Sequence, residues 1–330
     1  MGKIFGSNNT LALYLIPFIG LAIVLFGLLG GGVENSQQLT TFLLTKKMES
    51  LFVAPWLQAT VNLVMVVIGS WTITSLTSKQ EIYERPNHWA TLLFLLLAFS
   101  HPSLLIWNGF VPASLFLVFA LRRILPIYNT PSINSHVFDS GVFIAMAGFF
   151  QPGFWFLLLV LVFVIAIMRS FKWREYAVLL LGFSVPFYVY AFALFWNNKL
   201  GNFWDIISST IDLVNLSELA IRANNITMYV LLTLALLMIL ASMRYSTVQQ
   251  RKHKQVLVIL AICLGLINLL FGGNGIGRTA GLLCVPMALL LPFFIQWFKK
   301  ENMQNLIILL LISLLVVNYI YFPSSPNKIL

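Results

Sequence analysis

The sequence predicts an all-α polytopic membrane protein of about seven full spans with two broken hairpins of short helices between the second and third. Three observations predict it. Hydrophobic residues make up 59% of the chain and charged residues 9%, with a mean hydropathy of +0.90, a balance that no soluble domain of 330 residues shows. Seven continuous apolar runs have the length of a membrane span. Two further stretches, 89–121 and 137–168, are equally apolar but of awkward length. Because the runs are continuous and not short and alternating, a transmembrane β-barrel is excluded.

The first run, 11–30, follows Lys3, the pattern of a signal peptide. No small-x-small cleavage site comes after it, and Gly30-Gly31-Gly32 is a weak substitute, so it is read as a retained first span. Segment 36–52 sets Leu39, Phe42, Leu43, Leu51 and Phe52 against Lys46, Lys47 and Glu49, and reads as a helix lying on the membrane surface. The second span is 56–76.

The two awkward stretches come next. Each is about 32 residues, or roughly 48 Å as helix, whereas a bilayer core of about 30 Å needs about 20 residues. They are too long for one upright span and too short for two with a turn. Both are interrupted near the middle, at Ser100-His101-Pro102 and at Gln151-Pro152-Gly153. Each is therefore expected to enter the membrane, break at membrane depth and return to its own side. Such breaks are tolerated only where protein or water covers them, so they tend to line sites.

Spans 176–196, 227–243, 256–271, 279–297 and 305–321 follow, with a second candidate surface helix at 203–219. No linker, repeat or soluble segment is visible, so residues 1–330 are expected to form a single integral membrane domain. Cys263 and Cys284 fall inside spans and read as small packing residues. They provide neither a disulfide framework nor a metal motif, and no cofactor is expected.

Lysine and arginine set the orientation. With the N-terminus in the cytoplasm and both hairpins returning to their own side, fourteen of the twenty Lys and Arg residues are cytoplasmic. Were either hairpin a single crossing, the clusters Arg169-Ser-Phe-Lys-Trp-Arg174 and Arg251-Lys-His-Lys254 would face outward. Charge thus supports the hairpins independently of length. It also explains the net charge of +10 as a topology signal and lipid-headgroup contact, and not as a nucleic-acid surface. On this topology five of the ten acidic residues, Glu34, Glu49, Asp205, Asp212 and Glu218, lie on the outer face.

Few residues there could carry chemistry. Glu34, just after the first span, could be a general base or metal ligand facing a membrane-bound substrate; the alternative is a solvated loop glutamate. Gly272-Gly-Asn274-Gly-Ile-Gly-Arg278 runs directly into a span. Its glycines let backbone approach a ligand, and a helix N-terminus with a guanidinium favours an anion such as a lipid phosphate. Asn274 and Arg278 are its ligand-binding candidates, against a reading as a tight turn with a snorkelling arginine. It is neither a Walker A loop nor a dinucleotide fingerprint. Asp205, Asp212 and Glu218, with the ligand-binding candidate Arg222, could share a helix face or be the polar side of an amphipathic helix. His101, at the first break, is either a ligand group at membrane depth or a neutral imidazole bonded to freed backbone. Gln151 has the same two readings, and Asp139 near Arg122 and Arg123 reads as one half of an ion pair.

The succession of a first span, an outer loop with an early carboxylate, broken short helices and several full spans is similar to the membrane module of GT-C glycosyltransferases. The stretches Leu95-Leu-Leu-Ala-Phe-Ser-His-Pro102, Pro112-Ala-Ser-Leu-Phe-Leu-Val-Phe-Ala-Leu-Arg-Arg123, Asp139-Ser-Gly-Val-Phe-Ile-Ala-Met-Ala-Gly148 and Arg278-Thr-Ala-Gly-Leu-Leu-Cys-Val-Pro-Met-Ala-Leu-Leu-Leu291 resemble its short-helix regions and its arginine-plus-span segment. The resemblance implies a GT-C-like fold that transfers a sugar from a polyprenyl-phosphate-linked donor at the outer face. Glu34 would take the place of the catalytic carboxylate and Arg278 that of the phosphate clamp. The family usually shows an Asp, often an acidic pair, in a longer first loop; here there is one Glu in a short one. The chain also resembles an uncharacterised inner-membrane family of Bacteroidetes, through Arg122-Arg123, Phe138-Asp139-Ser-Gly141 and Arg169-Ser-Phe-Lys-Trp-Arg174. That implies a bacterial inner membrane and no activity. The competing expectations are a non-catalytic membrane subunit of an envelope or secretion complex, with a membrane-protein partner, and a transporter of lipid or small solutes.

Overall fold

A computed structural model describes residues 5–6, 10–29, 54–84, 86–128, 130, 133–169, 172–198, 223–271, 276–298 and 301–321, excepting the side chains of 223–227, 245, 270–271, 276–279, 301 and 314–321. Eleven α-helices are described: α1 (Leu11–Leu29), α2 (Pro55–Lys79), α3 (Trp89–Ala98), α4 (Phe110–Ile124), α5 (Asn134–Phe150), α6 (Leu157–Met168), α7 (Trp173–Trp196), α8 (Ala223–Ser242), α9 (Val248–Phe271), α10 (Ile276–Trp297) and α11 (Glu301–Tyr321). Among the described residues six helices are long and apolar enough to cross a membrane, as in a multi-pass membrane protein. Five of them fall on expected full spans. The sixth, Phe110–Tyr128, belongs to the first broken stretch. Met228–Ser242, within the expected span 227–243, and Asn302–Ser313, which overlaps the expected span 305–321, are shorter apolar helices.

The path of the first broken stretch follows from its contacts with α2. The Thr74 and Thr91 hydroxyls meet at 2.6 Å, and a Cβ on Gly69 would lie 2.8 Å from the Phe94 ring. The chain then runs on along α2 toward its beginning. The Asn62 amide donates to the Leu105 and Ile106 carbonyls at 3.0 and 2.8 Å, and Gln58 Oε1 accepts from the Trp107 N–H at 3.2 Å. Helix α4 comes back, with Leu115 beside Gly69. Finally the ring nitrogens of His253, on α9, contact the Gln80 carbonyl at 3.1 Å and the Leu125 carbonyl at 3.3 Å. The chain therefore leaves one end of the bundle at Gln80 and returns to that end at Leu125. This is the expected hairpin, and its two limbs are joined at the mouth by one imidazole.

The break is level with the first two turns of α2, about 30 Å along that helix from Gln80. Helix α3 covers only about 15 Å, and residues 99–109 carry the chain the rest of the way outside α-helix, through the extended His101, the 3₁₀ turn Pro102–Leu104 and further turns. Measuring the stretch as if it were all helix underestimates its reach.

The second stretch repeats the plan. Asp139 in α5 pairs with Arg123 of α4 at 3.2 Å, the expected ion pair. Arg169, after α6, donates to the Ile127 carbonyl at 3.2 Å and to the Thr130 carbonyl. Lys252 donates to the Met168 carbonyl at 3.2 Å and lies 4.6 Å from the Tyr128 ring centroid. Entry and exit of this hairpin thus also share the mouth end. At its apex Gln151 closes α5 through its N–H to the Ala147 carbonyl, and Pro152 starts a 3₁₀ turn. The Trp155 indole folds back over Gly148 and donates to the Ala145 carbonyl at 3.3 Å. A Cβ on Gly148 would stand 1.7 Å from that indole. Gly148→Ala is therefore expected to displace Trp155 from Phe149 and Phe187 and to lower stability by about 2 kcal/mol, read as a drop in Tm in detergent.

The other helices enclose the hairpins. Most of α10 is inside: 83% of its apolar window is buried, against 17% for α7. Tyr83 Oη donates to the Leu289 carbonyl of α10 at 2.8 Å, and the Cys284 thiol faces the Phe94 carbonyl at 3.6 Å. Cys284 is thus a buried packing residue, and Cys263 is partly buried; both thiols are free. The outer face of α7 exposes Leu181, Tyr188, Val189, Phe192 and Trp196, the surface expected of a helix against lipid.

Candidate functional site

The apex end holds two of the residues singled out from sequence. His101 adopts an extended conformation directly before Pro102 and caps the 3₁₀ turn Pro102–Leu104. Its Nδ1 accepts from the Ser103 N–H at 3.2 Å and lies 2.6 Å from Ser103 Oγ. A neutral ring bonded this way carries its proton on Nε2. The rest of the break is held by Asn108, whose side-chain oxygen accepts from the N–H groups of Phe110 and Val111 and whose amide donates to the Leu104 and Ile106 carbonyls. Of the two readings of His101, bonding to freed backbone is present. Gln151 is buried at the other apex, and its side-chain oxygen has no partner among the described residues.

Arg278 lies in the first turn of α10. One turn farther on, a Cβ at Gly281 would stand 2.7 Å from Phe110, the first residue of α4 after the break. Helix α10 also packs on the turn Pro102–Leu104. The backbone bearing Arg278 and the break bearing His101 are thus neighbours at the apex end, and the unpaired N–H groups that open a helix belong to the same end. The Arg278 side chain lies outside the described residues. So do Glu34, Arg222, Asn274, both expected surface helices, Asp205, Asp212 and Glu218.

The described structure also contains a polar cavity of about 280 Å³ at the mouth end, lined by residues of the 74–88 segment and by Gln250. It was not expected from sequence. Its carboxylates, Glu81 and Glu84, sit in the short connection between α2 and α3. The one sequence signal is that two acidic residues fall within four positions in an otherwise basic set of loops. Helix α2 ends in a Schellman turn, with the Gln80 N–H bonded to the Leu76 carbonyl and the Ile82 N–H to the Thr77 carbonyl. Glu81 occupies the left-handed position of that turn, with φ 46°, where glycine is usual. Asn87 accepts from the Trp89 N–H and opens α3, while the His88 N–H donates to the Phe5 carbonyl. Burial pushes the Tyr83 hydroxyl well above the usual phenol range and pulls the His88 imidazole below the usual histidine range, so both stay neutral. Among the described residues no group of three or more His, Cys, Asp or Glu could hold a metal.

The model of a family of unknown function, DUF6427, matches residues 42–325, and the chain belongs to that family. No curated protein and no solved structure matches it.

Proposed function

We propose that this protein of the DUF6427 family is a multi-pass bacterial inner-membrane protein of GT-C-like architecture that handles a lipid-linked sugar at the outer face. The observation that carries the reading is the packing of the His101 break against the first turns of α10, which bear Arg278, at the end opposite both hairpin mouths. The mouths hold Arg123, Arg169 and Lys252, so the positive-inside rule puts the apex end outside.

In this reading Arg278 and the opening N–H groups of α10 bind the phosphate of a polyprenyl-phosphate sugar. Glu34 takes the proton from an acceptor hydroxyl as its oxygen attacks the anomeric carbon. The bond from that carbon to the phosphate oxygen breaks, the configuration inverts and polyprenyl phosphate leaves with the electron pair. The two hairpin apices form the floor beneath this chemistry.

Deleting the gene is expected to change the surface glycans and to cause polyprenyl-linked sugar to accumulate. Complementation with Arg278→Ala or Glu34→Gln should leave turnover of that intermediate about 100-fold below wild type, with Arg278→Lys in between. Unchanged glycan and lipid profiles in the deletion strain would replace this reading with that of a membrane subunit.

A further inference from the structure

The placement of tryptophan has no part in the reading above. Among the described residues five tryptophans are exposed, each by 49% or more. Four of them stand at helix ends. Trp56 is in the first turn of α2, beside Gln58, which bonds the first break; Trp196 closes α7, which runs parallel to α5 toward the second apex. Both belong to the apex end. Trp173 opens α7, and Trp297 closes α10 about two turns beyond Leu289, the partner of Tyr83. Both belong to the mouth end. Along α7 the two indoles are 23 residues apart, and on α2 Trp56 is 23 residues from Lys79, about 34 Å of helix in each case. No Asp, Glu, Lys or Arg lies between residues 176 and 196 or between 56 and 78, while Lys172, Arg174 and Lys79 are exposed just beyond. The fifth exposed tryptophan, Trp71, lies inside these limits, and its indole N–H is turned to the Leu13 carbonyl at 3.5 Å. An N–H in hydrocarbon needs such a partner, whereas one among lipid headgroups does not.

We propose that a bilayer meets the chain at these two tryptophan levels, so that both hairpin breaks lie within about 10 Å of its outer interface and not at its midplane. A hydrocarbon core of about 30 Å with an interface on each side matches the separation. A protein partner covering α7 would not require indoles sorted to two levels one bilayer apart. The depth of the breaks follows from their contacts. Residues 105–107 bond to Asn62 and Gln58, which are six and two residues from Trp56, or about 9 and 3 Å of helix. At the second apex Phe149 packs 5.5 Å from Tyr190, six residues and about 9 Å of helix before Trp196. The backbone of Arg278 is three residues before Gly281, which meets Phe110 just past the first break. The partner this end of the surface fits is a lipid taken by its headgroup. A phosphate in that leaflet reaches the level of the breaks and of Arg278 without crossing the hydrocarbon core. Calling that leaflet the outer one rests on the reading above; the two tryptophan levels do not.

The test is the depth of nitroxide labels on the full chain in lipid vesicles, read from their accessibility to oxygen and to a water-soluble nickel chelate. Cys263→Ala and Cys284→Ala provide the background, accepted once its Tm equals that of wild type. Thr60→Cys, Ile68→Cys, Val185→Cys and Phe195→Cys then place single labels on the lipid side, and none touches a break. Thr60 is level with the Asn62 and Gln58 contacts, so its label reports the depth of the first break. The Ile68 label is expected about 12 Å deeper than the Thr60 label, and the Val185 label about 15 Å deeper than the Phe195 label. A Thr60 label as deep as that of Ile68, a Phe195 label as deep as that of Val185, or equal nickel access at all four sites overturns the proposal. None of these readings depends on a sugar. A deletion strain with unchanged glycans removes the lipid-sugar reading and leaves the two levels standing.

Discussion

Asn62→Leu is expected to destabilise the protein by about 3 kcal/mol, with the loss centred on the first hairpin apex. Asn62 is fully buried in the second turn of α2. Residues 99–109 leave the helical ladder, so their carbonyls must find partners elsewhere, and on the membrane reading no water is near. One side-chain amide supplies three of them: Leu105 at 3.0 Å, Ile106 at 2.8 Å and, more weakly, Leu104 at 3.4 Å. Asn108 also serves Leu104 and Ile106, so the carbonyl orphaned by the substitution is that of Leu105. Leucine fills the volume but donates nothing. It also removes Asn62 Oδ1, which has no partner among the described residues, and this offsets about 1 kcal/mol of the loss. Unfolding in detergent, followed by Tm, checks the effect. Gln58→Leu, which removes the acceptor for the Trp107 N–H, should cost about half as much. Equal Tm values for wild type and Asn62→Leu would mean that the break is not held by α2.

The same residues show what was legible in the sequence. The positions of five of the six span-length apolar helices and the return of both hairpins to one end were legible, because hydropathy and lysine and arginine placement record them directly. What holds the hairpins closed was not. The run Arg251-Lys-His-Lys254 reads as a basic loop, yet His253 joins Gln80 to Leu125 and Lys252 caps the carbonyl of Met168. Those partners are 84 to 173 positions away, a separation no local pattern encodes. The full reach of the first stretch was not legible for a related reason. Asn62 and Asn108 make a non-helical segment tolerable, and a length rule that assumes helix throughout cannot include them. Carboxylates beside Lys79 and Arg85 read as a solvated loop, and Glu81 and Glu84 are exposed. Only the fold sets them beside Gln250 and the wall residue His88. At the apex end, the nearness of the His101 break to the turn after Arg278 rests on Gly281 accepting Phe110, and one glycine in a span carries no such message by itself.

Gly182→Val is expected to have an effect as large as that of Asn62→Leu, by a different route. Helices α5 and α7 run parallel: Gly182 meets Phe138, and farther along Phe149 meets Phe187 and Tyr190. The approach at Gly182 is backbone to backbone. A Cβ there would stand 2.2 Å from the Phe138 carbonyl oxygen, and one on Gly141 would stand 2.6 Å from the Leu179 carbonyl oxygen. Neither obstacle is the end of a side chain, so no rotamer change relieves the clash and the helices must separate. Between apolar helices in lipid there is little hydrophobic drive to close such a gap, and the contact depends on small residues that let backbones touch. Separation by even 1 Å also loosens the ring cluster of Phe149, Trp155 and Phe187 that seats the second apex. The expected loss is about 3 kcal/mol for Gly182→Val and about 2 kcal/mol for Gly182→Ala. The graded series separates a steric cause from a conformational one. Both glycines lie in α-helices without positive φ, so relief of backbone entropy alone would make alanine stabilising. A rise in Tm for Gly182→Ala would therefore exclude close packing here, whereas a fall that steepens from alanine to valine is the signature of two backbones in contact.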